Sequence, residues 1–232
     1  MGCSRRRASR GRTRRHTPAV FPARTGPCRR TRLDGCFLRS STVPGMDPVE
    51  QLRRARSEFQ RRVAQVRANH LALPTPCSEW TVRALVAHVI GGDHAYVALL
   101  HGSSAEQFRS LLAGFEVGDD PLKQFRRSAA EVITAFGEPG ALERTVQHPM
   151  GEVPAVQLLG MRVAEWTIHG WDLARAIDAD DSLDAELVES LYARLAPRVD
   201  ALANTGYFRP PTGLPDTAPL QNKLLDLLGR RP

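Results

Sequence analysis

The chain has 232 residues, of which 42% are hydrophobic, and it carries a formal net charge of +7. This length accommodates one domain of ordinary size with a sizeable core. No run approaches the roughly 20 uncharged apolar residues that a membrane-spanning helix requires, so the sequence excludes an integral helical membrane protein.

The first 45 residues differ in composition from the rest of the chain. They contain twelve arginines and a single acid, Asp34, so they carry a net charge of +11 and leave −4 to residues 46–232. They show no helical or alternating apolar period and no apolar region of a signal peptide. We therefore expect a disordered basic extension. A nucleic-acid-binding arm is one alternative, but aromatic residues for base stacking are not interleaved. A start codon assigned upstream of Met46 explains the abrupt change better.

Three of the four cysteines lie in this extension: Cys3, Cys28 and Cys36. Only Cys77 remains in the expected domain, so no disulfide framework is possible there, which suits the reducing cytoplasm. We expect a cytoplasmic protein and interpret Cys77 as a small packing residue at the entry of a helix rather than as a reactive thiol.

From Met46 onward the pattern is that of successive helices joined by short loops. Apolar residues from Val49 to Val66 recur at spacings of three and four, which indicates one buried stripe. Thr81 has the chemistry of an N-cap, and Asp120 followed by Pro121 marks the start of a later helix. The expected helices cover residues 47–68, 81–100, 104–113, 120–136, 154–177 and 184–204, with one or two further turns within 221–230.

The stretch RTVQHPMGEVPA, which begins at Arg144, is the strand-like part of the sequence. A turn signal at 149–151 separates two short β-prone runs. We predict a small β-hairpin or an extended crossover directly before the long helix that begins near residue 154. Residues 46–232 are therefore expected to form an all-α domain, a helical bundle with one short hairpin.

Candidate chemistry concentrates at Glu165 and His169, four residues apart on that long helix. At about 100° per residue this offset places both side chains on one face, where they can reach one ion. The same spacing is common in solvated surface pairs. Here, however, the flanking residues are apolar, and a buried carboxylate and imidazole need a partner. A metal ion is one such partner.

His88 lies among apolar residues of the second predicted helix. On its own it is also compatible with a core histidine that hydrogen-bonds to a carbonyl group. In an antiparallel bundle it could face Glu165 and His169. The three would then form a site of two histidines and one carboxylate with an open coordination position, as in catalytic zinc sites.

Asp172 follows His169 by three residues and has two interpretations. It could orient a metal ligand by accepting its hydrogen bond, or it could form an ion pair with Arg162 or Arg175. The tryptophans are predicted to pack in the core: Trp80, Trp166 and Trp171.

Two further histidines are weaker candidates. His94 lies about 240° round the helix from His88 and should face elsewhere. His148 lies in the predicted hairpin or crossover and could approach a metal ion bound at the site.

Three segments together resemble a known family: PTPCSEWTVRALVAHVIGGD from Pro74 to Asp93, RVAEWTIHGWDLARA from Arg162 to Ala176, and the closing LLDLLGRRP. The sequence is similar to an actinobacterial family of small metal-binding proteins. That family is related to the N-terminal domain of mycothiol-dependent maleylpyruvate isomerase and, more distantly, to DinB-like bundles. The resemblance covers nearly all of 46–232 and implies a DinB-like four-helix bundle.

The resemblance also implies a metal site and a thiol partner. The family's ligands for a divalent metal, usually zinc, match His88, Glu165 and His169. The metal is implied to bind mycothiol as a thiolate, because a divalent cation lowers the pKa of a thiol. We therefore expect a mycothiol-dependent or other thiol-dependent transferase or isomerase that acts on a small electrophile. Since the chain ends soon after its bundle, maleylpyruvate isomerisation itself is not expected.

A non-catalytic metal-binding module with a structural or sensing role is the alternative. An open coordination position beside a pocket would favour the enzyme, and a fourth protein ligand in a sealed core would favour the module. DNA binding would depend on the basic extension. Imidazole and carboxylate ligands suit several metals, so zinc is preferred only by resemblance. The substrate and the choice between monomer and homodimer stay open.

Overall fold

The computed structural model describes residues 46–204 and 208–232, so the expectations for residues 1–45 lie outside the described residues. Within them the chain forms α1 (Pro48–Val63), α2 (Val82–Leu100), α3 (Ala105–Gly114), α4 (Pro121–Gly137), β1 (Thr145–His148), β2 (Gly151–Pro154), α5 (Ala155–Ala176), α6 (Ala185–Leu195), α7 (Val199–Asn204) and α8 (Leu220–Leu227). The all-α class is confirmed. None of the described helices combines the length and apolar content needed to cross a membrane.

Helices α1, α2, α4 and α5 form a four-helix bundle. α1 packs against α4 and α5, and α2 packs against the same two helices, so each helix lies between two neighbours. The buried stripe of α1 comprises Leu52, Ala55, Phe59 and Val63, as the spacing of three and four residues requires. α3 covers α2, and α6 packs against α8. The predicted bundle architecture is confirmed.

Polar caps begin the helices where the sequence predicts them. Thr81 Oγ1 accepts a hydrogen bond from the Ala84 amide at 3.3 Å, and Asp120 Oδ1 accepts one from Lys123 at 2.9 Å. Each cap satisfies an amide that has no partner within its own helix. Because Thr81 determines where α2 starts, His88 lies two turns into the helix.

β1 and β2 form the predicted antiparallel hairpin. Val146 pairs with Val153, and both side chains are buried. Gly151 follows the turn with a φ of 115°, a conformation that favours glycine. The Ala155 amide donates to the Arg144 carbonyl at 2.8 Å, so the hairpin leads directly into α5.

Two predicted helices are shorter than expected. The sequence predicts a first helix to residue 68, but α1 ends at Val63 because the following amides bond to carbonyls three residues back and tighten the chain. The helix predicted over 184–204 is interrupted after Leu195 by a 3₁₀ turn that contains Pro197. Proline has no amide proton for the helical hydrogen bond.

Candidate metal centre

The predicted ligands His88, Glu165 and His169 come together between α2 and α5. The Glu165 Oε2 atom lies 3.2 Å from His88 Nε2 and 3.3 Å from His169 Nε2. The two imidazole rings meet edge to face, with centroids 5.2 Å apart. One potential ligand atom from each residue lies within 4.8 Å of the other two, so one ion could contact all three.

The three side chains of the site differ in their exposure to solvent. Side-chain exposure is 9% for His169, 16% for His88 and 34% for Glu165. A ligand could therefore approach from the side of Glu165, while His169 lies against the interior of the bundle.

The charges of the three groups are set by burial and by one another. Burial alone would raise the pKa of Glu165, but hydrogen bonds with His169 and His88 outweigh it and hold the pKa well below its usual range. Burial lowers the pKa of His88. Without a metal, the site thus has an ionised carboxylate beside a neutral imidazole at neutral pH.

His169 differs from His88 because acidic and thiol groups surround it. Burial alone would lower its pKa, but hydrogen bonds with Asp172, Cys77 and Glu165 outweigh burial and raise the pKa well above the ordinary value. A metal ion at Nε2 would have to displace that proton.

Asp172 makes the contact with His169 that the first of its two interpretations requires. Its Oδ2 atom lies 2.9 Å from His169 Nδ1, so it holds the ring nitrogen that points away from Glu165. The predicted ion pairs do not form, since Arg162 lies beside Asp93 and Arg175 beside Asp181. The guanidinium that does contact Asp172 is that of Arg230, near the C-terminus.

Trp80 packs against the core, as predicted, but it is only partly buried. Its half-buried ring lies against both histidines of the site, with centroid distances of 4.4 Å to His88 and 5.6 Å to His169. Trp166 and Trp171 are buried as predicted. The signal for Trp80 is its position immediately before the Thr81 cap, outside the helical register.

Cys77 also contributes more than packing. Its Sγ atom lies 3.3 Å from Asp172 Oδ2, and Cys77, His169 and Asp172 form a second cluster of potential ligand atoms. The loop that precedes α2 brings it there: the Trp80 amide donates to the Cys77 carbonyl at 2.7 Å, and Thr75 Oγ1 accepts from the Cys77 amide at 3.2 Å.

The two weaker histidine candidates lie elsewhere. His94 faces away from the site, as predicted, and its Nδ1 lies 3.4 Å from a Glu131 oxygen. His148 packs edge to face on Phe108 in the hairpin region, with ring centroids 5.1 Å apart. His148 is not among the clustered ligand atoms of the described residues.

A buried polar network joins α2 to α5 behind the site. Asp93 Oδ1 lies 3.2 Å from Arg162 Nε and accepts a hydrogen bond from Trp166 Nε1 at 3.1 Å. Ser128 of α4 donates to Asp93 Oδ2 at 2.6 Å. Since His88 and Glu165 lie on the same two helices, this network helps to set the distance between them.

Comparison with known proteins places this site in context. The sequence model described as "Mycothiol maleylpyruvate isomerase N-terminal domain" matches residues 52–174. Two uncharacterized proteins of Mycobacterium tuberculosis, MT0763 and Rv0738, are each 38% identical over 153 residues, which are 65% of this chain and 79% of the relative.

Two solved structures share the fold. Both are mycothiol-dependent maleylpyruvate isomerase, one of them a mutant, with TM-scores of 0.52 and 0.54 and 22% identity. The similarity covers 64% of this chain and 68% of each of those chains. The match to the sequence model spans more than half of this chain and includes all three candidate ligands. The chain therefore belongs to the family of the mycothiol maleylpyruvate isomerase N-terminal domain.

Proposed function

We propose that the protein binds one divalent metal ion, zinc in the first instance, through His88, Glu165 and His169, and that the metal binds a small-molecule thiol such as mycothiol. The observation that carries the proposal is the convergence of two imidazole Nε2 atoms on one carboxylate oxygen, at 3.2 and 3.3 Å. Family membership supports the choice of thiol, since the solved structures that share the fold are of a mycothiol-dependent isomerase.

The donor set fits a catalytic rather than a structural metal site. Two histidines and one carboxylate are ligands of zinc enzymes that keep a fourth position open, although the same ligands suit other first-row metals. A bound divalent cation would lower the pKa of a thiol and so supply a thiolate nucleophile at neutral pH.

The side chains of the site have complementary tasks in this proposal. The ionised Glu165 offsets the charge of the cation. The neutral His88 offers its Nε2 lone pair once the single proton of its ring, which faces Glu165, moves to Nδ1. His169 gives up its Nε2 proton, while Asp172 retains the hydrogen bond at Nδ1. The half-buried Trp80 provides an apolar wall beside both imidazoles.

The reaction that fits this arrangement is addition of a thiolate to a small electrophile, followed by group transfer or isomerisation. The exposure of Glu165, 34% of its side chain, leaves an approach from solvent. A cytoplasmic location is part of the proposal, because low-molecular-weight thiols are kept reduced there.

The non-catalytic module has one observation in its favour, the position of Cys77. Its sulfur lies in the cluster with His169 and Asp172, so a shift of the preceding loop could make it a fourth protein ligand. A metal held by four protein ligands would leave no position for an added thiol.

Cobalt(II)-substituted full-length protein distinguishes the two functions. In wild type and in Cys77→Ser, added mycothiol should produce a sulfur-to-cobalt charge-transfer band, because the added thiol supplies the sulfur. His94→Ala, a control on the same helix as His88, should give the same band, and His88→Ala should not.

The outcomes are distinct. A band that is present before mycothiol is added and disappears in Cys77→Ser would assign the sulfur to the protein and favour the module. Bound cobalt without a band in any sample would refute thiol binding.

A further inference from the structure

The end of α8 turns the chain back toward the bundle. The Gly229 amide donates to the Asp226 carbonyl and the Arg230 amide to the Leu225 carbonyl, both at 2.9 Å, which is the pattern of a Schellman cap. Gly229 has a φ of 77°, and a Cβ there would lie 2.6 Å from the Arg209 amide nitrogen. Glycine is therefore required, and the reversal directs Arg230 inward.

The Arg230 guanidinium binds the carboxylate of Asp172 through two nitrogen atoms. Nη2 lies 2.7 Å from Oδ2 and Nε lies 3.2 Å from Oδ1, so the guanidinium and the carboxylate meet as a fork. The Asp172 side chain is fully buried and that of Arg230 is 12% exposed. Asp172 Oδ2 also lies 2.9 Å from His169 Nδ1, so one oxygen atom contacts both partners.

We propose that Arg230 is a positioning residue for the metal site, which it reaches through Asp172 and His169. Resting on the proposed function, the inference adds a residue that lies outside the family match over 52–174. The fork holds the plane of the carboxylate, the carboxylate holds Nδ1 of the imidazole, and Nε2 is thereby aimed at Glu165, 3.3 Å away.

The physical need for Arg230 follows from the burial of Asp172. A buried carboxylate is strongly disfavoured unless it is paired and hydrogen-bonded. Without the guanidinium, Asp172 would keep His169 and the weak Cys77 thiol as its contacts, and its plane would no longer be held at two points. Lysine is an incomplete substitute, because an ammonium group cannot form the fork. Groups that orient a metal-bound histidine typically change metal affinity 10- to 100-fold when they are lost.

Arg231 provides a matched control. It is the next residue in the same segment, its side chain is 46% exposed, and it pairs with Asp226 at 3.1 Å. Asp226 accepts its other hydrogen bonds from Thr212 and Gly213, and none of these partners contacts His169 within the described part of the chain. Loss of Arg231 loosens the same tail without releasing Asp172.

The first measurement is the dissociation constant of cobalt(II), by chelator competition, in the full-length chain. Arg230→Met should raise it about 10- to 100-fold, Arg230→Lys should raise it less, and Arg231→Met should leave it within about threefold of wild type. Equal constants for Arg230→Met and Arg231→Met would overturn the proposal. If Arg230→Met does not fold, the dissociation constants of Arg230→Lys and Arg231→Lys are compared instead, and equal constants would again overturn the proposal.

A second measurement does not depend on metal binding. In metal-free protein, the buried Nδ1 proton of His169 should exchange slowly with water and give a resolved downfield proton resonance. The resonance should persist in Arg231→Met and be lost in Arg230→Lys. Persistence in both variants would overturn the positioning role. If wild type binds no metal but the resonance behaves as expected, the proposed function fails while the contact chain from Arg230 to His169 stands.

Discussion

Removal of the Asp93 carboxylate should destabilise the bundle strongly. Asp93 and Arg162 have side-chain exposures of 0% and 1%, and 3.2 Å separates Arg162 Nε from the nearer oxygen. Asp93→Ala would leave a buried guanidinium without its anion. It would also leave the Trp166 and Ser128 donors without their acceptor.

The expected loss is about 3 to 5 kcal/mol, the range for removing one partner of a buried ion pair. Arg162 would keep its hydrogen bond to the Val89 carbonyl at 3.2 Å and its positions over the rings of Tyr96 and Trp166, which argues against a larger loss. For a domain of this size, about 1 kcal/mol shifts the melting temperature by roughly 2 to 4 °C. Asp93→Ala should therefore melt roughly 6 to 20 °C below wild type.

Thermal and urea unfolding of the metal-free full-length chain would measure the effect. Glu131→Ala is the control, since Glu131 forms its ion pairs at the surface with His94 and Arg127 and should cost less than about 1 kcal/mol. A double variant, Asp93→Leu with Arg162→Met, should recover much of the loss because it leaves no unpaired charge. A loss below about 1 kcal/mol for Asp93→Ala would refute the argument that this pair holds α2 to α5.

Three further predictions concern pH, the C-terminal turn and the tryptophan at the site. Burial, which outweighs the nearby guanidinium, raises the pKa of Asp93 to about 6, above its ordinary value. The extra stability that protonation of Asp93 gives is therefore full below about pH 4 and is lost as the pH rises through 6, while the contacts of the carboxylate remain. Between pH 5 and 7.5 the unfolding free energy of wild type should thus fall by about 1 kcal/mol relative to Asp93→Asn; parallel pH profiles would contradict this. Gly229→Ala should lower the melting temperature more than Gly213→Ala, because both have positive φ but only Gly229 lies against backbone; equal shifts would show that the contact is unimportant. Zinc should raise tryptophan fluorescence in wild type but not in Trp80→Phe. A protonated imidazole quenches the emission of a nearby indole, and zinc would displace the proton of His169, whose ring lies beside that of Trp80. An unchanged response in Trp80→Phe would assign the signal to a buried tryptophan.

Local sequence rules predicted the helices and one part of the site. The offset of four residues between Glu165 and His169 places both on one face of α5, whatever the rest of the fold does. The Thr81 cap and the hairpin turn were likewise predicted from short-range chemistry. His88 required more, because its distance from Glu165 depends on how α2 packs against α5.

Contacts that join distant parts of the chain were not predictable from spacing. Arg230 and Asp172 are 58 residues apart, and Cys77 and Asp172 are 95 apart. No periodicity relates such positions. Trp80 was assigned to the core because a large aromatic residue is usually buried, and it does pack there, but its contact with the imidazoles depends on the loop before α2.

The buried pair of Asp93 and Arg162 illustrates a further limit. In the sequence, Asp93 and Arg162 are each a single charged residue within an apolar helical segment. Spacing alone suggested Asp172 as a partner for Arg162. The structure pairs Arg162 with Asp93 instead, across two helices whose relative rotation is set by the packing of the whole bundle. Sequence spacing constrains faces of single helices, whereas the choice among several partners depends on tertiary geometry.

Metal content of the full-length protein tests the central claim most directly. After dialysis against a mild chelator, elemental mass spectrometry should find close to one equivalent of zinc or another divalent metal in wild type and in His94→Ala. His169→Ala should retain little or none, because it removes the most buried of the three ligands. Absence of metal in wild type, or full retention in His169→Ala, would contradict the assignment of His88, Glu165 and His169 as a metal centre.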